Sequence, residues 1–296
     1  MKKIIYTTLL ATLAFGFEFD MDSKNGAFEN IKILTPSSSL VLKMQNNNPI
    51  TGADYDEGKK QFALCSLENE FYIADENLNP QRYAQHDRHF MLELEKTVGV
   101  TWYKGAVGMI SYNKSFVFYE PVDGLSKEEQ NDQWRHMLAG WDKFKLSEDG
   151  KGRFSTLRAK QQYILGWEYD AASNRFVTAS VPNDVRPSWS IAVFDGSDKM
   201  ILEEYVPAVS ENLKLKDGKD ISNYYITGMD LQGDDLYLLS KNYSTILKLN
   251  LKTKQIEDAV GFDNIANPRA LAIKDGKFHI FAREGSDNKV YIFDMK

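Results

Sequence analysis

Residues 226–262 switch regularly between apolar runs and short polar breaks. ITGMDL, DLYLLS and STILKLNL are strand-length, the breaks QGDD and KNY suit joints between antiparallel strands, and QIEDAVGF follows as a fourth run. The unit recurs. From 270, ALAIKDGKFHIFAREGSDNKVYIFD repeats its first three strands, with Lys274-Asp275-Gly276-Lys277 as the tight turn. Upstream, YILGWEYDAASNRFVTASVPNDVRPSWSIAVFDGSDKMILEEYVP supplies four strands, VGVTWYKGAVGMISYNKSFVFYEPV three, and QFALCSLENEFYIAD at least two. First strands centre near residues 64, 101, 165, 227 and 272, around or above the spacing of roughly 40–50 residues typical of propeller blades.

Tandem four-stranded sheets that bury their faces against neighbours predict an all-β fold, a β-propeller, whose radial closure removes long exposed edges. Five blades are expected, with six as the alternative. The last repeat ends at Asp294 after its third strand, so an N-terminal strand, from 30–34 (NIKIL) or 40–44 (LVLKM), is expected to complete it and close the ring.

One stretch breaks the rhythm. In SKEEQNDQWRHMLAGWDKFKL, residues 126–146, Ser126 and Glu129 form a capping box. Trp134, Met137, Leu138, Trp141 and Phe144 fall on one helical face, which predicts an inserted amphipathic helix. Its stripe either packs on the propeller or docks a partner. A basic loop follows, with Lys143, Lys145, Lys151, Arg153, Arg158 and Lys160 close together around Ser155. A loop feeding an innermost strand lies at the mouth of a propeller's central channel. Arg153 and Arg158 are therefore expected there, joined by Lys241, Arg269 and Arg283, as a site for an anion or a partner's carboxylate. The competing reading is separate surface charges paired with Asp and Glu.

The N-terminus changes the picture of where the chain works. Lys2 and Lys3 precede an apolar stretch from Ile4 to Phe17, with Ala14 and Gly16 placed for cleavage after Gly16. This reads as a secretory signal over 1–16, with the propeller occupying 17–296 and the insertion and basic loop 126–160. The stretch is short for a membrane span, and Glu18 and Asp20 follow at once. A periplasmic, monomeric protein without a stable span in its mature form is expected. The net charge is −6; losing Lys2 and Lys3 leaves 34 basic against 42 acidic residues, or −8. A nucleic-acid binder would lean the other way. With Cys65 alone, the chain has no internal disulfide and no CxxC pair to cycle; its place in FALCSL reads as a buried strand thiol.

Candidate chemistry is sparse. His86 and His89 form a pair without a third ligand at diagnostic spacing, so no metal is expected there. His279 alternates with Phe278 and Ile280 and reads as solvated or structural, and His136 lies in the insertion. No GxSxG, HExxH, P-loop or dinucleotide motif is present, so neither a cofactor nor catalytic residues are assigned. Enzymatic propellers gather acids around the channel, and Glu168, Asp170, Asp230 and Asn267 can be drawn that way. That gives the alternative: a metal-dependent, lactonase-like hydrolase.

FVFYEPVDGLSKEEQ, QWRHMLAGWDKF, GRFSTLRAKQQYILGWEYD, the SVPN of 180–183, and SKNYSTIL with NPRALAI carry a resemblance. From about residue 95 onward the chain resembles the periplasmic propeller region joined to some disulfide bond formation protein B/I-like membrane thiol oxidases of bacteria. Those oxidases carry several membrane spans and cysteine pairs, which this chain lacks, so none of their catalytic residues carries over. The resemblance implies a stand-alone propeller in the same compartment, serving as accessory to a membrane thiol oxidase. The resulting expectation is a non-enzymatic binding module for an envelope protein. Arg153, Ser155, Arg158, Lys160, Arg269, Trp134 and Trp141 are its contact residues.

Overall fold

The computed structural model describes residues 26–86, 96–121, 138–139, 144–146, 155–161, 163–182 and 185–295. Two strands come first, β1 (Lys32–Leu34) and β2 (Ser38–Val41). Blade 1 contains β3 (Ile50–Asp56), β4 (Gln61–Ser66), β5 (Glu70–Asp75) and β6 (Pro80–His86). Blade 2 contains β7 (Thr97–Tyr103), β8 (Ala106–Ser111) and β9 (Ser115–Pro121). Three short strands follow: β10 (Leu138–Ala139), β11 (Phe144–Leu146) and β12 (Ser155–Thr156). Blade 3 is β13 (Ile164–Asp170), β14 (Arg175–Ser180), β15 (Ile191–Asp195) and β16 (Ile201–Tyr205). After β17 (Ala208–Val209), blade 4 is β18 (Ile226–Gln232), β19 (Asp235–Ser240), β20 (Thr245–Asn250) and β21 (Gln255–Phe262). Blade 5 is β22 (Pro268–Lys274), β23 (Lys277–Glu284) and β24 (Asp287–Asp294).

Five separate antiparallel meanders make a five-bladed β-propeller. The inner strands β3, β7, β13, β18 and β22 form a ring around the axis. Blade 5 takes its fourth strand from β2, with Ser38 opposite Ile292 and Val41 opposite Lys289, so part of the 40–44 run closes the ring. The 30–34 run instead supplies β1, which adds in parallel to the outer edge of blade 4 beside β17. Asn46, Asn47 and Asn48 then rivet the closing segment. Asn46 and Asn48 donate to the buried carboxylate of Glu70, while Asn47 donates to the Ser286 carbonyl and accepts from Arg283.

Two sequence expectations are corrected. The first blade opens at Ile50, whereas the sequence placed its first strand near residue 64, which is in fact β4. ITGADYD reads as polar because the inner strand faces neighbouring backbone, where small and hydrogen-bonding side chains fit. The inserted helix is not seen either. Residues 126–137 and 140–143, including Trp134 and Trp141, lie outside the described residues, but Leu138–Ala139 pairs with β6 and Phe144–Leu146 with β9. Among the described residues there is no helix, and none long and apolar enough to cross a membrane. The outer edges of blades 1 and 2 offer unpaired backbone groups, and pairing with them overrides the helical period of the side chains.

Apolar faces pack between blades. Trp167 is fully enclosed by Phe116, Phe118 and Phe176, at centroid distances of 5.6, 5.6 and 5.0 Å. Cys65 is buried, and that burial pushes its thiol up to about 12, as an inert strand residue requires. Tight turns use left-handed residues at Lys104-Gly105 and Asp275-Gly276, the geometry that two-residue hairpins demand.

Candidate functional site

The inner strands carry one repeated pattern. Thr51-Gly52-Ala53-Asp54, Val98-Gly99-Val100-Thr101, Leu165-Gly166-Trp167-Glu168, Thr227-Gly228-Met229-Asp230 and Arg269-Ala270-Leu271-Ala272 occupy equivalent places. The glycines let neighbouring strands approach closely. A Cβ on Gly52 would lie 2.9 Å from the Gly99 Cα, and one on Gly228 2.6 Å from the Leu271 nitrogen. The axial cavity they leave measures about 10 Å³, at the threshold for a single water.

Two residues further on, side chains of blades 1, 2 and 4 clip each of these to the next. Asp54 accepts from the Trp102 N–H at 2.6 Å and the Thr101 hydroxyl at 3.1 Å. Thr101 accepts from the Tyr169 N–H at 3.1 Å and stands 3.4 Å from Glu168. Asp230 accepts from the Ile273 N–H at 2.7 Å and from Gln232 at 2.9 Å. The fifth place holds Ala272, which has no acceptor to offer. Burial raises all three acids, and repulsion adds to it, from Asp56 on Asp54, from Asp54 and Asp230 on Glu168, and from Asp54 on Asp230. Asp54 is pushed to about 6, Asp230 to about 8, and Glu168 well above its ordinary value.

Glu168 and Asp230, drawn together from sequence, do face the axis together, where Asp230 accepts from the Ile273 amide and Glu168 faces the Thr101 hydroxyl. Asp170 and Asn267 do not join them. Asp170 accepts from the Ala172 and Ser173 amides of its own turn, and Asn267 is a left-handed loop residue. Asp54 escaped the sequence reading together with its strand. The signal that finds it is the recurrence of Thr-Gly-x-Asp at 51–54 and 227–230. Among the described residues, no group of three or more His, Cys, Asp or Glu side chains is arranged to hold a metal. His279 is buried against Phe62, 5.6 Å between centroids, and burial lowers it to about 4, so its role is structural and not solvated. His86 ends β6, while His89, His136 and Arg153 lie outside the described residues.

The basic residues expected at one mouth occupy two places. Arg269 sits in the inner strand β22, half-buried, with Lys241, Arg283 and Tyr225 around it. Arg158 and Lys160 instead line a groove of about 770 Å³ along β16, the outer strand of blade 3. The segment is carried outward because Leu157 donates to the Lys114 carbonyl of blade 2 and the Lys160 amide to Glu204 of β16. Ser155 belongs to β12, paired with β9.

The groove has a defined character. β16 is the outermost strand of blade 3, as β10, β11 and β2 are of blades 1, 2 and 5 and β1 and β17 of blade 4, and no further strand pairs with it among the described residues. Among the described residues, four of the six exposed large apolar side chains, Val185, Met200, Leu202 and Val206, belong to this edge or its flanks. Its two carboxylates are neutralised, Glu204 by Arg186 at 2.7 Å and Glu203 by Lys254. Arg158 and Lys160 are exposed and make no ion pair among the described residues, so the groove is apolar with surplus positive charge. The class shown is a β-propeller, and the outer strand of its third blade carries an apolar fringe and this charge.

One solved structure supports the fold. The structure of Myxococcus xanthus glutaminyl cyclase superposes with a TM-score of 0.56 at 8% identity, covering 90% of this chain and 97% of that one. The Myceliophteria_thermophila Cps50 (Swd1) β-propeller domain gives 0.43 at 13% identity, over 83% and 65%. No protein-family model and no curated protein matches the sequence.

Proposed function

We propose that the protein is a non-enzymatic binding module that seats an extended segment of a partner protein along β16. The observation that carries this reading is the outer strand of blade 3, where exposed apolar side chains lie beside Arg158 and Lys160, which make no ion pair among the described residues. An extended segment adding to a sheet edge gains main-chain hydrogen bonds, while alternate side chains fill pockets. Leu202, Val206 and Val185 offer apolar contact, and Arg158 and Lys160 select a carboxylate on the incoming strand. Asp54 and Asp230 are engaged by backbone amides in a filled axis, which disfavours the hydrolase alternative.

We place this module in the periplasm, on the strength of the N-terminal signal pattern, with a membrane thiol oxidase as its proposed partner. Two of the segments that carry the resemblance to such oxidases, 153–160 and 180–183, border the groove in the chain, containing Arg158–Lys160 and preceding Val185–Ser188.

A photo-cross-linking residue at Leu202 or Val185 tests this in cells making the full chain. A discrete adduct at both positions, absent from exposed Asp217 and lost when Arg158 and Lys160 are both changed to Glu, is the expected result. Adduct formation equal to that at Asp217 would sink the proposal. An adduct containing a second copy of the chain would replace the foreign partner with self-association, and an oxidase in the adduct would support the narrower reading.

A further inference from the structure

Every inner strand begins with a β-bulge. The pairing skips between Ile50 and Gly52, Thr97 and Gly99, Ile164 and Trp167, Ile226 and Gly228, and Pro268 and Ala270. A bulge inserts one residue and re-aims its side chain. The residues so placed are Thr51, Val98, Leu165, Thr227 and Arg269, of which the first three line the axial cavity. Four are uncharged, so Arg269 brings the only charge to this five-fold ring.

Its surroundings are all on one side in charge. Lys241 directly follows β19, and its N–H donates to the Tyr225 carbonyl at the entrance to β18. Arg283, near the end of β23, donates its N–H to the Asn267 carbonyl at the entrance to β22. Both therefore stand at the same end of the ring as Arg269. The Nε of Arg269 is enclosed and has no hydrogen-bond partner. Arg283 donates its side chain only to neutral Asn47, and among the described residues none of the three cations has a carboxylate partner. Burial and the mutual repulsion of these cations lower both Arg269 and Lys241. Half-buried like charges with an orphan donor are costly unless an anion completes the set.

We propose that this entrance, between blades 4 and 5, binds a small oxyanion of charge minus two or more, with Arg269 as the principal donor and Lys241 and Arg283 as flanking cations. The shared chemistry admits a dicarboxylate or a phosphate. The site is independent of the blade 3 groove.

The test is thermal melting of the full chain, at constant ionic strength, during titration with succinate, citrate or inorganic phosphate against sodium chloride. The expected result is a saturable rise in Tm for at least one of them, with Kd below about 1 mM. The responding anion tells carboxylate from phosphate. Arg269→Gln should abolish the rise and leave the anion-free Tm unchanged or higher, because an unpaired buried charge is removed. Lys241→Gln should weaken binding about tenfold. Absence of a saturable rise with all three anions, or equal binding by Arg269→Gln, overturns the proposal. So does an anion-free Tm lowered by Arg269→Gln, which would make Arg269 a structural residue.

Discussion

Asp54 and Asp230 are buried carboxyls that hold backbone amides of the next blade. Their folded values of about 6 and about 8 lie above an unfolded value near 3.9. The folded chain therefore holds more protons than the unfolded chain between about pH 4 and 8, and this contribution to stability falls as pH rises through that window. Tm at about pH 5.5 is expected to exceed Tm at about pH 8.5 by a few degrees. Asp230→Asn keeps an acceptor for the Ile273 amide and carries no charge, so it should flatten the upper part of the profile. A wild-type Tm that climbs with pH would contradict this account of the axis.

At the scale of elements, the inner strands are held by close backbone approach and the closing segment by a buried polar knot. Gly228→Ala places a Cβ against the Leu271 nitrogen, where backbone must yield, and should cost about 1–3 kcal/mol in urea unfolding. Asn48→Ala removes one donor from buried Glu70, with an expected loss of about 1–3 kcal/mol. The middle and outer strands were legible in the sequence because their faces are apolar and their turns polar, as in DLYLLS and STILKLNL. The first inner strand was not, since Gly52 and Asp54 answer to neighbouring backbone and not to an apolar core. Leu138–Ala139 and Phe144–Leu146 were misread as helical for a related reason: their partners, β6 and β9, lie far off in sequence, and only the assembled sheet offers them an edge.

At the scale of the whole molecule, the cations expected to converge are divided between an outer groove and an axial entrance. Sequence order placed Arg158 just upstream of an inner strand, but the chain reaches that strand by way of the rim, tied to Lys114 and Glu204. Arg269 was legible as a candidate, while the bulge that sets it at the entrance shows only in the pairing register. The two sites lie on different blades and share no residue, so Arg269→Gln should leave cross-linking at Leu202 unchanged. Loss of the adduct in that variant would show that groove and entrance act as one surface.

The seam between β2 and β24 has a mechanical consequence. Ser38 lies opposite Ile292 and Val41 opposite Lys289, so the flanks of the ladder at Ser37 and Phe293 emerge from the same end. Tension applied through those two points peels the seam one hydrogen bond at a time, starting from the Ser37–Ile292 contact, and never loads the rungs together in shear. The seam is therefore arranged to unzip from this end at low force, with the meanders of the five blades and the packing of β22 on β3 still intact.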